Sequence, residues 1–244
     1  MRDPMQKTLL FAEDEPELLE IYSRWFERLG HRVLCAKSGT EALAVCQDEH
    51  VDLVISDVRM AGGGGIELAR QLQVTLASSP LLLFLTGFAD VSEEEAYDLG
   101  ACAILSKPIQ REELTKAVER FLKPPRELWT TPLESQPNEL VQKQYGSLES
   151  ALRRGEINLG RGGMFVRDCE CLPEEVAFGF RLQFAEGVTP GVDGCGIARW
   201  QRMIPTQSLP AGAGIEILQL DEQAMEPVVG WISRTNPRAF IPRA

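Results

Sequence analysis

Five residues of this sequence have the types and spacing to handle a phosphoryl group: the adjacent Glu13 and Asp14, then Asp57, Thr86 and Lys107. Three carboxylates brought to one place repel each other unless a hard cation sits among them. Magnesium suits that role, because it prefers oxygen ligands and keeps waters and phosphate oxygens in its shell. A carboxylate can also attack phosphorus to give an acyl phosphate, while the metal and a lysine offset charge on the equatorial oxygens. In that chemistry Asp57 is the nucleophile and Lys107 the counter-charge. Thr86, followed by the small Gly87, offers a hydroxyl that could donate to a phosphoryl oxygen once one arrives. Each residue alone has an ordinary structural use: an acidic pair after a strand often caps a helix, and Lys107-Pro108 would serve as a strand exit. Their joint occurrence at successive strand ends is what points to chemistry.

The elements that would hold them are readable from periodicity. Thr8–Ala12, His31–Ala36, Val51–Ser56, Leu81–Thr86 and Ala101–Ser106 are short apolar runs, as expected of strands buried on both faces. Between them lie stretches with helical spacing: Pro16–Leu29, closed by Gly30, then Thr40–Gln47, Gly65–Leu76, Val91–Leu99 and Arg111–Leu122. Alternation of this kind predicts a doubly wound, five-stranded parallel α/β sheet, whose strand carboxyl ends gather ligands at one edge. Glu13-Asp14, Asp57, Thr86 and Lys107 follow the first, third, fourth and fifth of those strands.

After Leu122 the texture changes. Residues 123–138 hold four prolines and read as an interdomain linker too broken for a helix or central strand. Leu140–Arg154 looks helical. Beyond it lie candidate strands at Glu156–Leu159, Met164–Arg167, Val176–Phe184, Gly194–Gln201, Gly214–Leu220 and Val228–Ile232, with glycine and proline between them. Short strands with turn signals predict a second, mainly β domain built as a small closed or nearly closed barrel. The expected domains are therefore 1–122, a linker at 123–138, and 139–244.

The set Glu13-Asp14, Asp57, Thr86 and Lys107-Pro108, spread over residues 7 to 122, resembles the receiver (CheY-like, flavodoxin-like) domain of two-component response regulators. The resemblance implies that a partner histidine kinase phosphorylates Asp57. It also implies that Glu13, Asp14, Asp57 and the backbone carbonyl of Arg59 hold Mg2+, and that Thr86 and Lys107 read the phosphate. Beyond the phosphoryl transfer and autodephosphorylation of such a domain, it implies no enzyme. Two positions depart from the family. Ala61, followed by the run Gly62 to Gly65, stands where a proline is usual, so the loop after Asp57 is expected to be unusually mobile. Ile104 stands where an aromatic usually relays the switch.

In the second half, Asn158-Leu159-Gly160-Arg161-Gly162-Gly163-Met164-Phe165 offers a glycine turn flanked by arginines. Read by itself, it is either a plain hairpin or an anion-binding turn. With Gly196-Ile197-Ala198-Arg199-Trp200 and Gly212-Ala213-Gly214-Ile215-Glu216 it resembles the PilZ domain, a β-barrel whose standard members bind cyclic di-GMP. Carried over, that resemblance places Arg153, Arg154, Asn158, Arg161 and Gly163 at the dinucleotide. Two features depart from it: Gly160 replaces the motif serine, and the second half lacks an RxxxR arm ahead of the turn. The expectation is a response regulator signalling through a divergent PilZ-like output. The alternatives are a cyclic di-GMP receptor and a protein-interaction adaptor.

Charge and composition bound the rest. With 25 Lys plus Arg against 36 Asp plus Glu, the net charge is -11, which opposes a phosphate backbone and makes DNA an unexpected partner. No stretch is apolar enough for membrane insertion and no signal core opens the chain, so a cytoplasmic location is expected. Homodimerisation is a family-based expectation only. The six cysteines read as buried reduced thiols, with Cys169-x-Cys171 as a weaker metal or redox pair. Only His31 and His50 are present, too few to suggest Ser-His-Asp catalysis, and both read as structural or surface residues.

Overall fold

A computed structural model describes residues 6–76, 79–87, 90–130, 140–169, 172–173, 176–186, 191–206, 209–235, 237 and 240–242. The chain divides into two compact units, Met1–Leu122 and Lys123–Ala244.

The first unit is a five-stranded parallel sheet in the order β2-β1-β3-β4-β5, formed by β1 (Thr8–Ala12), β2 (Arg32–Ala36), β3 (Leu53–Asp57), β4 (Leu81–Thr86) and β5 (Ala103–Ser106). Every residue of β1, β3 and β4 is buried, which is why these strands read as unbroken apolar runs. Five helices connect and cover the sheet: α1 (Pro16–Glu27), α2 (Gly39–Asp48), α3 (Gly65–Thr75), α4 (Glu93–Asp98) and α5 (Arg111–Leu122). α1 starts on a proline, whose fixed φ suits a first turn, and buries Leu19, Tyr22 and Phe26. The ring of Phe11 lies 5.4 Å from Phe26 and 5.8 Å from Tyr22, locking that helix to the sheet. α2 is capped reciprocally: the Ser38 hydroxyl accepts from Glu41 N, and the Glu41 carboxylate accepts from Lys37 N.

The second unit is mainly β. Its six-stranded sheet runs β6-β9-β10-β11-β8-β7, from β6 (Leu140–Tyr145), β7 (Ile157–Leu159), β8 (Gly163–Arg167), β9 (Ala177–Phe184), β10 (Gly191–Arg202) and β11 (Gly212–Leu220). β6 pairs parallel with β9 and all the other pairings are antiparallel. Phe165, Phe178, Phe180, Trp200 and Ile215 are buried in its core, with Phe165 stacked 5.8 Å from Trp200.

Two expectations for this half are corrected. Leu140–Arg154 is not one helix: Leu140–Tyr145 forms edge strand β6, and only Leu148–Arg153 is helical, as α7. Gly146 and Ser147 separate them, and the Ser147 hydroxyl starts α7 by accepting from Ser150 N. Val228–Ile232 is not a strand but part of α8 (Glu222–Thr235), whose buried Ala224, Met225, Val228 and Ile232 keep helical spacing despite Pro227. Among the described residues β6 and β7 end the sheet without pairing with each other, so it is not fully closed, as the nearly closed alternative allowed.

The stretch read as linker also carries structure at its start. Pro125–Leu128 forms the short helix α6, Trp129 is fully buried, and Thr130 bridges Gln219. Residues 131–139 lie outside the described part.

Candidate functional site

β1, β3, β4 and β5 lie side by side, so their carboxyl ends bring the five predicted residues to one edge of the first sheet. Ala12 pairs with Ser56, Asp57 with Leu85, and Thr86 with Ser106. That register sets Glu13, Asp57, Thr86 and Lys107 at neighbouring strand ends. Backbone bonds fix the exits: Glu13 N donates to Ala36 O, Val58 N to Leu85 O, and Lys107 N to Thr86 O at 2.7 Å.

Glu13, Asp14 and Asp57 each offer a carboxylate oxygen, and the three lie within 4.8 Å of one another. Glu13 is 1% exposed and Asp57 7%. The Lys107 ammonium donates to Glu13 Oε2 at 2.7 Å and to Asp57 Oδ2 at 2.8 Å, so one cation serves two carboxylates. Burial pushes the Glu13 carboxyl up from its usual value. The bond and charge of Lys107 act against that rise, and the charge of Asp57 adds to it. For Lys107, burial by itself would lower the ammonium. The hydrogen bonds and charges of Asp57 and Glu13 together outweigh it and hold the group above its ordinary value. Three oxygen donors with net excess negative charge, two of them nearly out of water, are a donor set that fits a hard divalent cation.

The loops around this edge are tied together. Asp14 Oδ2 accepts from Ala61 N at 2.9 Å, and Asp57 Oδ1 accepts from Arg59 N at 3.3 Å. Gly62 and Gly63 take positive φ, which a side chain would resist. Their carbonyls accept from the start of α2: Thr40 Oγ1 to Gly62 O at 3.0 Å and Gly39 N to Gly63 O at 2.7 Å. The glycine run expected to be mobile is thus bonded at several points. Ile104 is half-buried and packs against the apolar core.

Asp90 is a residue that sequence reasoning missed. Its Oδ2 accepts from Gly87 N at 2.9 Å and lies 3.4 Å from Thr86 Oγ1, and its Oδ1 pairs with Arg59 Nε at 2.5 Å. An acidic residue four positions after a candidate switch threonine was the available signal.

The second-half candidates behave differently. Arg153 and Arg154 are exposed at the end of α7, and Arg154 lies 4.0 Å from Glu156. Asn158 is in β7, paired with Phe165. In the turn itself, Gly160 N donates to Gly163 O, Gly162 N to Phe240 O, and Arg161 Nε to Pro237 O. The Phe240 ring occupies the space where a Cβ on Gly162 would stand. Of the groups expected to face an anion, the Gly162 amide and Arg161 Nε bond the C-terminal segment, while the Gly160 amide bonds Gly163 within the turn.

Of the cysteines, Cys46, Cys102 and Cys169 are buried, with burial pushing the Cys46 thiol up to about 11. Cys35 is exposed on β2, against expectation, and Cys171 lies outside the described residues. His31 is half-buried and His50 exposed. Among the described residues no helix is long and apolar enough to cross a membrane.

A family model for the response regulator receiver domain matches residues 9–119. Residues 9–119 form a receiver domain. The chain is 30% identical over 135 residues to the transcriptional regulatory protein CrdR of Helicobacter pylori, covering 55% of this chain and 61% of that one. It is 29% identical over 119 residues to the alkaline phosphatase synthesis regulator PhoP of Bacillus subtilis, covering 49% and 50%. The sporulation initiation phosphotransferase F of the same organism is 25% identical over 119 residues, 48% of this chain and 95% of that protein. A solved receiver-domain protein from Clostridium thermocellum superposes with TM-score 0.44 at 27% identity, over 48% of this chain and 94% of its own. The chain spans about a quarter to three fifths of the length of the first curated relatives it matches. The receiver domain accounts for the first unit alone.

Proposed function

We propose that the protein is a two-component response regulator in which a partner histidine kinase phosphorylates Asp57. The observation that supports this most directly is the Lys107 ammonium within 2.8 Å of Asp57 and 2.7 Å of Glu13, beside a third carboxylate from Asp14. Glu13, Asp14 and Asp57, with the backbone carbonyl of Arg59, are the groups that would hold Mg2+. When bound, the metal supplies charge neutralisation for an incoming phosphoryl group. Asp57 presents its carboxylate as nucleophile from a rigid strand end, and Lys107 offsets charge on the transferred group. Burial of Glu13 and Asp57 keeps these interactions out of bulk water, where they would be screened. Thr86 donates its hydroxyl to the phosphate once it is in place.

The second unit is proposed as a divergent PilZ-like output. Its support is the order of a glycine turn before β8, Trp200 on β10 and the glycine-rich start of β11. It is read as acting through protein contact rather than through cyclic di-GMP, because Arg161 and Gly162 are engaged by Pro237 and Phe240.

Two experiments test these readings. The full chain incubated with acetyl phosphate and Mg2+ is expected to gain the mass of one phosphoryl group. Chelation of the metal is expected to prevent the gain, and an unmodified chain under both conditions would refute the reading. Calorimetric titration with cyclic di-GMP is expected to give no saturable heat, and micromolar binding would instead make the dinucleotide a second input.

A further inference from the structure

Asp90 stands where the residues following β3 and β4 meet, and among the described residues its side chain contacts Arg59, Thr86 and Gly87. Its side chain is 8% exposed while that of Arg59 is 75% exposed, so a fixed carboxylate holds a guanidinium that is otherwise in water. One oxygen pairs with Arg59 Nε at 2.5 Å, and the other accepts from Gly87 N at 2.9 Å, with Thr86 Oγ1 3.4 Å away. The Thr86 hydroxyl has a single proton. It points to Gly87 O at 2.7 Å, with Asp90 Oδ2 as the next acceptor, so none of its present partners is Asp57. Arg59 has its other end at the acceptor, since its backbone N donates to Asp57 Oδ1 at 3.3 Å.

We propose that Asp90 is a positioning residue which, with Arg59, clamps the Thr86–Gly87 strand end away from Asp57, and that phosphorylation must break this clamp. The proposal rests on the reading of Asp57 as phospho-acceptor and adds how the switch is held off. An incoming phosphoryl group demands the oxygens that Arg59 N and Lys107 now contact, and it offers Thr86 a better acceptor than a neighbouring carbonyl. The clamp is a cost on that state. By linkage, any change that loosens it raises the apparent affinity of the acceptor site for a phosphoryl group.

A simple charge effect would act differently. Removing the negative charge of Asp90 would favour an anion, but removing the positive charge of Arg59 would disfavour it. A clamp predicts the same sign for both.

The test is calorimetric titration of the full chain with beryllofluoride and Mg2+, using the wild type, Asp90→Asn, Arg59→Ala, and each of these in a Thr86→Ala background. An Asp57→Asn control is run beside them. Asp90→Asn and Arg59→Ala are each expected to lower the half-saturating concentration by about fivefold to tenfold, the worth of one hydrogen bond. Both gains are expected to vanish when Thr86 is alanine. No change in either single variant, opposite signs for the two, or gains that survive Thr86→Ala would overturn the clamp while leaving the acceptor site standing. Absence of saturable binding by the wild type, or binding that persists in Asp57→Asn, would overturn the acceptor reading itself and the clamp with it.

Discussion

Lys107 is the residue on which the carboxylate edge of the first unit depends, because its ammonium pairs with both Glu13 and Asp57. Lys107→Ala leaves two nearly buried carboxylates facing each other and Asp14. Denaturant unfolding is expected to show a loss of about 2–3 kcal/mol, with Mg2+ recovering more stability in the variant than in the wild type. His31 gives a pH signature of its own. Burial lowers its value, Lys7 adds to that, and Glu119 and Asp52 act against it. A folded-state value below the unfolded one means stability that is present above the unfolded value and lost as pH falls through the folded one. His31→Gln is therefore expected to flatten the decline of unfolding free energy below about pH 6.5, and an unchanged profile would show that His31 is not its source. That Glu13, Asp14, Asp57 and Lys107 converge was legible in the sequence, because the strand pattern sets their positions at neighbouring strand ends. Asp90 was not, since its role depends on side-chain geometry across two loops, which spacing does not encode.

At the scale of elements, the strands and helices of the first unit were readable because two-sided burial and amphipathic faces impose distinct periods on long segments. Leu140–Tyr145 and Val228–Ile232 failed for a common reason: windows of five or six apolar and polar residues fit either period, and the packing partner decides. β6 is a strand because β9 offers it an edge, and Val228 and Ile232 are helical because the stripe continues back to Ala224. Phe240 and Ile241, each 1% exposed, were invisible as core residues because two residues carry no pattern. The Gly162–Phe240 contact is testable at this scale. Phe240→Ala is expected to cost about 3 kcal/mol, and Gly162→Ala a similar amount by expelling the ring, measured by chemical denaturation. If both variants instead matched the wild type, the C-terminal segment would not be part of the second unit's core.

For the whole molecule, the two compact units predict two cooperative unfolding transitions in calorimetry, only one of which moves when Mg2+ is added. A single transition, or a shift of both, would mean the units are energetically one. That the chain has an α/β half and a β half was legible from the change in texture after Leu122. Whether the sheet closes fully was not, because strand content does not fix which edges meet. If Asp57 is the acceptor proposed above, chemical mapping will find the phosphoryl group on it. The full chain is treated with acetyl phosphate and Mg2+, reduced with borohydride, which converts an acyl phosphate to an alcohol, and mapped by peptide mass spectrometry. Homoserine at position 57, absent in Asp57→Asn, is the predicted result. Homoserine at another aspartate, the one-carbon-longer alcohol at a glutamate, or neither product would contradict it.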